Sequence, residues 1–168
     1  MLQDQTLQAK IARLNDPRVT ALAEETGKLI EGDPSSPLAL VNLRKLNLIF
    51  AAPDPRIQNM VLPVLLPGSA RAIVNQSIAR LGDFIDQDQA TPDQVNYVAR
   101  SLLLTMRYEF LYTSAARDAL LTIGPRALDI LPELWRSITE EDSMCPSDSL
   151  WRVINAVDPS KRFLYPTL

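Results

Sequence analysis

The chain has 168 residues, 46% of them hydrophobic and 22% charged, with 17 basic against 20 acidic side chains and a net charge of −3. Such a chain is long enough to bury a core without disulfides or a structural metal. It holds no histidine and one cysteine, Cys145, which excludes Ser-His and Cys-His catalytic pairs, imidazole metal sites, an internal disulfide and a thiolate metal cluster.

Met1-Leu2-Gln3-Asp4-Gln5 shows no basic region ahead of an apolar run, so no signal peptide is read there. No apolar stretch approaches the ~20 residues that span a bilayer. A cytoplasmic chain without a membrane partner is therefore expected.

Helices are expected throughout. Thirteen prolines stand against five glycines, and no segment sustains the apolar–polar alternation of a strand. An N-terminal helix is predicted over about 2–14, then helices over about 17–31, 36–52, 55–66, 69–87, 92–110, 113–124, 125–138 and 147–157. In 69–87, Ala70, Ile73, Val74, Ile78, Leu81, Phe84 and Ile85 fall on one helical stripe. In 92–110 the stripe is Val95, Val98, Ala99, Leu102, Met106 and Phe110. Asp16-Pro17, Asp54-Pro55, Thr91-Pro92, Gly124-Pro125 and Asp158-Pro159 each place proline where a first-turn N–H has no partner. Asp or Thr ahead of that proline is a ready N-cap. Pro63 and Pro132 fall inside their helices and are expected to kink them.

Pro17, Pro55, Pro92, Pro125 and Pro159 are separated by 38, 37, 33 and 34 residues. Periods of this size mark helical solenoids, with two helices and two turns per unit. The reading is one domain over 1–168, with units over about 17–54, 55–91, 92–124 and 125–158; an ordinary helical bundle is the alternative. Asp16-Pro17-Arg18 and Asp54-Pro55-Arg56 are identical, and Gly124-Pro125-Arg126 is close. Leu62-Pro63-Val64-Leu65-Leu66 likewise parallels Leu131-Pro132-Glu133-Leu134-Trp135.

The stretch from Ala116 to Leu134 ends one helix in Ile123-Gly124, continues with Pro125-Arg126, and runs into apolar residues containing Pro132. It resembles a HEAT-type repeat, closest to the HEAT-like variety of bilin lyases and many bacterial scaffolds. The likeness extends less closely over 54–82. The units opening at Pro17 and Pro92 lack the internal Leu-Pro. The resemblance implies an all-α fold, a short right-handed α-solenoid of about four HEAT-like helical pairs plus an N-terminal helix. It also implies a concave face lined by the second helices and used for protein binding, and it carries no catalytic residues.

A search for chemistry gives no catalytic, cofactor-binding or metal-ligating residues. Thr26-Gly27-Lys28 lacks the upstream glycine and following Ser or Thr of a phosphate loop. Asp83, Asp86, Asp88 and Asp93 lack the glycine and glutamate of a calcium loop, and read as a solvated turn, as does Glu140-Glu141-Asp142. Cys145, between Met144 and Pro146, has no nearby His or Lys to activate it. No enzyme is expected.

Arginine outnumbers lysine thirteen to four, and arginine is favoured at interfaces. Arg44 with Lys45, Arg71 with Arg80, Arg117 and Arg152 fall on predicted second helices. Arg71, Arg117 and Arg152, with Trp151 as an aromatic anchor, are the candidate contacts for an acidic or mixed-charge segment of another protein. The competing reading pairs each arginine with a neighbouring acid, as Arg117 with Asp118, and packs Trp151 on the first helix of its own unit. Nucleic acid is disfavoured by the negative charge and by the lack of any basic cluster longer than two residues.

A second face on the third unit carries Tyr97, Arg100, Leu104, Arg107 and Leu111 at helical spacing, with Tyr108 beside them. It reads either as packing between neighbouring units or as a partner site using Tyr97, Leu104 and Tyr108. The apolar end, Phe163 to Leu168, is expected to cover the last unit or to serve as a docking tail. The function so read is a non-enzymatic adaptor or regulatory subunit. The alternatives are a HEAT-like accessory to an enzyme, such as a bilin lyase component, and a HEAT-like nucleic-acid binder.

Overall fold

Helix starts in this chain are written in proline and small polar residues, and the structure, a computed structural model, shows why. It describes residues 5–68, 70–87, 89–140 and 143–164, and these contain helix and turn with no strand. The α-helices are α1 (Gln5–Leu14), α2 (Pro17–Gly32), α3 (Pro37–Phe50), α4 (Pro55–Leu65), α5 (Arg71–Gln87), α6 (Pro92–Tyr108), α7 (Thr113–Ile123), α8 (Leu131–Thr139) and α9 (Ser147–Val157). Segments of 3-10 helix occupy Phe110–Tyr112, Gly124–Ile130 and Pro159–Leu164.

Asp16, Ser36, Asp54 and Thr91 cap α2, α3, α4 and α6, each followed by a first-turn proline. Asp54 Oδ1 accepts the Ile57 N–H at 2.9 Å. Thr91 and Gln94 close a reciprocal pair: the Gln94 N–H donates to Thr91 Oγ1 at 3.3 Å, and the Thr91 N–H to Gln94 Oε1 at 2.9 Å. Two first-turn donors that would otherwise be orphaned are thereby satisfied.

Two expectations are corrected. The helix predicted over 125–138 is interrupted. Gly124 has φ +59°, a left-handed value that favours glycine, and Ala127 departs from helical geometry at φ −86°, ψ 19°. Pro132 therefore stands in the first turn of α8 and starts a helix instead of kinking one. Pro63 does lie inside α4. Second, Ala70, Ile73 and Phe110 are exposed rather than buried in their stripes, Ala70 lying just before α5 begins. Ile73 sits in the first turn of α5, where Val74 takes the inward position. Phe110 lies past the end of α6, where the 3.6-residue period no longer applies and Tyr112 turns inward.

The chain divides into two compact units, Met1–Ala52 and Pro53–Leu168. In the first, α2 packs on α1 and on α3. Its helices bury Ile11, Val19, Ala39, Leu46 and Ile49, and with them the polar Thr26, Asn42 and Lys45.

In the second unit, α4 packs on α5 and α6, α6 on α7 and on Gly124–Ile130, and α8 on α9. Helix α5 packs on α7, and α7 on α9. At the α5–α7 contact Gly82 faces Ala119 so closely that an added Cβ would lie 3.2 Å from the Ala119 Cα. Three polar pairs fix the direction of α6 against the chain from Gly124 to Glu140. Asn96 donates to Asp129 at 3.1 Å, Arg100 to Glu133 at 2.6 Å, and Arg107 pairs with Glu140. Each joins residues 33 apart, so the two segments run parallel with the same offset as Pro92 and Pro125.

Candidate binding surface

The sequence-predicted arginines of the second unit are distributed over α5, α7 and α9, which pack in succession. Arg71, at the start of α5, Arg80, on its third turn, and Arg152, on α9, are exposed. Arg80 also borders a cavity of about 250 Å³ with Asn59, Met60, Pro63 and Ser77. Pro63, inside α4, has no N–H to give to the carbonyl one turn back.

Arg117 follows the competing reading. Its Nε and Nη2 both donate to Asp118 Oδ1, at 3.0 and 2.9 Å, so its charge is matched locally. Trp151 is half-buried and stands edge-on to Trp135 of α8, with ring centroids 5.3 Å apart and planes at 85°. It packs on its own unit's preceding helix, an arrangement aromatic quadrupoles favour. In the first unit, Arg44 is exposed and Lys45 is buried.

The second face, on α6, is largely consumed by packing. Tyr97, Leu104 and Arg107 are buried, and Arg100 is tied to Glu133. Tyr108 accepts from Arg107 Nη2 at 2.8 Å and donates to Glu140 Oε2 at 3.3 Å. Tyr97 and Leu104 are thus corrected from partner contacts to packing residues, and Tyr108 becomes part of a bonded cluster. Burial pushes the Tyr97 phenol well above its ordinary pKa.

Sequence reasoning passed over one feature and misplaced another, taking Phe110 as part of the core stripe and Leu111 as part of the second face. Arg107 Nε is buried and has no hydrogen-bond partner. Phe110, Leu111 and Met144 are exposed at the end of α6. The signal for the latter was present: the turn Glu109-Phe110-Leu111-Tyr112 holds none of the residues that turns favour.

Burial, and next to it the Asp148 charge, push the Cys145 thiol up to about 12, far from a reactive thiolate. Thr26-Gly27-Lys28 lies within α2, where Thr26 Oγ1 donates to the Leu22 carbonyl at 2.6 Å. Among the described residues no group of three His, Cys, Asp or Glu side chains could hold a metal ion, and no helix is long and apolar enough to cross a membrane. A groove of about 480 Å³ between α1 and α2 has a floor of Ile11, Ala12, Ala23 and Gly27. Asp88, Glu141, Asp142 and the tail from Tyr165 to Leu168 lie outside the described residues.

In comparisons with protein-family models, with curated proteins and with solved structures, nothing matches this chain.

Proposed function

We propose that this chain is a HEAT-like helical-repeat module without catalytic activity, an adaptor or regulatory subunit that binds a segment of another protein on its second helices. The observation that carries the reading is the parallel register of neighbouring helices at the proline spacing. It supports a solenoid in which α4, α6 and the Gly124–Thr139 segment form one row and α5, α7 and α9 the other. A solenoid row of this kind offers an extended surface in place of a pocket.

The α5–α7–α9 row exposes Arg71, Arg80 and Arg152 among the acids Asp83, Asp86 and Asp118, and the partner segment is accordingly of mixed charge, its acids facing these arginines. Arg117 is matched by Asp118 of its own helix, and Trp151 packs on Trp135 of α8, so neither is offered as a contact for the partner.

The test is affinity capture from native lysate with the wild-type chain and with Arg71→Glu/Arg80→Glu/Arg152→Glu, after circular dichroism has established that the variant is folded. Loss of the wild-type partners from the folded variant is the expected result, with capture weakening as salt rises. Full retention of those partners would move the site off this row.

A further inference from the structure

Two side-chain donors without a protein partner border the same cavity between α4 and α5. Its walls are Asn59, Met60 and Pro63 from α4 and Ser77 and Arg80 from α5, around a volume of about 250 Å³. That volume far exceeds the roughly 30 Å³ a water molecule takes up in the liquid, so the cavity admits a small polar group of a ligand.

Arg80 is exposed and makes no ion pair or hydrogen bond with any described residue. The same holds for the side-chain amide of Asn59, on the opposite wall. Ser77 differs: its Oγ donates to the Ile73 carbonyl at 3.0 Å and so has no proton to offer. The donors of the cavity are therefore one guanidinium and one amide, and no acid borders it. Asp83, one turn further along α5, is exposed and does not pair with Arg80.

The packing of the two helices sets this arrangement. Arg56 of α4 lies over the Phe84 ring of α5, its guanidinium carbon 4.9 Å from the ring centroid. Four residues on along α4 is Met60, and four back along α5 is Arg80. A second guanidinium thus stands one turn from the cavity, and its charge favours an anion there. Met60 and Pro63, both half-buried, supply apolar walls, and a charge-assisted bond strengthens as water is excluded.

A guanidinium fork matches the planar, two-oxygen geometry of a carboxylate. We propose that this cavity is the subsite in which the α5–α7–α9 surface takes one Asp or Glu side chain of the partner segment, held by Arg80 and Asn59 between Met60 and Pro63. The assignment rests on the reading of that surface as the partner-binding one, and it makes Arg80 the anchor among its exposed arginines.

The first experiment needs no partner. The full chain, labelled with nitrogen-15, is titrated with acetate at constant ionic strength, and the Arg Nε–H and Asn side-chain signals are followed by NMR. The Arg80 and Asn59 signals should move together and saturate, with a midpoint about tenfold or more below that of Arg71 on the same helix. Arg80→Gln should abolish the saturating Asn59 shift. Arg80→Lys, which keeps the charge without the fork, should weaken it several-fold, and Arg71→Gln should leave it unchanged. Parallel shifts at Arg71 and Arg80, or an Asn59 signal that does not respond, would overturn the subsite.

The second experiment identifies the source of the carboxylate. In capture from native lysate, Arg80→Gln should weaken retention of the wild-type partners more than Arg71→Gln does. Equal effects of the two variants, or none from Arg80→Gln while acetate still saturates the cavity, would overturn the assignment to a partner side chain. Retention of all partners by the triple glutamate variant, with acetate binding intact, would instead refute the reading of the row. Both glutamine variants replace exposed side chains, and a urea midpoint close to wild type verifies that each remains folded.

Discussion

Removing the Glu140 carboxylate should destabilise the protein out of proportion to its place near the surface. Arg107 is only 8% exposed, its Nε has no partner, and its charge is balanced by Glu140. Glu140→Gln keeps the shape and an acceptor for Tyr108, but strands a guanidinium in a poorly hydrated site. Breaking a fully buried pair in this way costs about 3–5 kcal/mol. The Glu140 side chain keeps 22% of its exposure, so water can partly answer the stranded charge, and a loss of about 2–3 kcal/mol is expected. Arg107→Met removes the charge and leaves a carboxylate able to turn to solvent, so it should cost less, about 1–2 kcal/mol. The double variant should then be more stable than the two losses summed, by about 1 kcal/mol or more. Equilibrium urea unfolding followed by circular dichroism measures all four proteins. Additivity within about 0.5 kcal/mol, or a Glu140→Gln loss below that size, would refute the reasoning.

Ile123, fully buried at the end of α7, should lose about 2–5 kcal/mol on conversion to Ala, and Leu131, half-buried at the start of α8, clearly less; urea unfolding ranks them. The N-caps Asp16 and Asp54 have carboxyl pKa values below the ordinary 3.8, Asp16 chiefly through its side-chain bond with Arg18 and Asp54 chiefly through the Ile57 N–H. Depressed folded values mean that their stabilisation is present above pH 3.8 and is lost as pH falls through the lower, folded values. Asp16→Asn/Asp54→Asn, which caps without titrating, should therefore lose less thermal stability on acidification than wild type, measured by melting over an acid series. Cys145, held protonated by burial and by Asp148, should react with iodoacetamide at pH 8 about a hundredfold or more slowly in the native chain than in urea; comparable rates would show the thiol to be solvated.

How much of this was legible in the sequence depends on how local the cause is. Asp-Pro and Thr-Pro start helices through chemistry confined to four residues, and α2, α4 and α6 begin at Pro17, Pro55 and Pro92. The break at Gly124–Ile130 is different. Gly124-Pro125 looks like another helix start, and only the backbone shows Gly124 at positive φ and 3-10 geometry continuing to Ile130. The same limit explains Phe110: a stripe counted at 3.6 residues per turn continues on paper past the end of α6, whereas the chain has already changed its winding.

The candidate surface was harder to read because helical periodicity says which residues share a face and not what lies against that face. Tyr97, Arg100, Leu104 and Arg107 have the composition of an interaction hot spot. They also fit a helix apolar on more than one side, which packing against several neighbours requires. The sequence does contain a deciding signal. At an offset of 33 residues, Asn96 meets Asp129, Arg100 meets Glu133 and Arg107 meets Glu140, and 33 is also the distance from Pro92 to Pro125. Two cations matched to two anions at the spacing of the prolines imply helices lying side by side in the same direction, with their charges directed at each other. Phe110 and Leu111 have no counterpart in that pairing: the positions 33 residues on are Ser143 and Met144, one bonded to the α6 terminus and the other exposed. The ladder of charges ends at Glu140, and just beyond its last rung the apolar side chains remain uncovered.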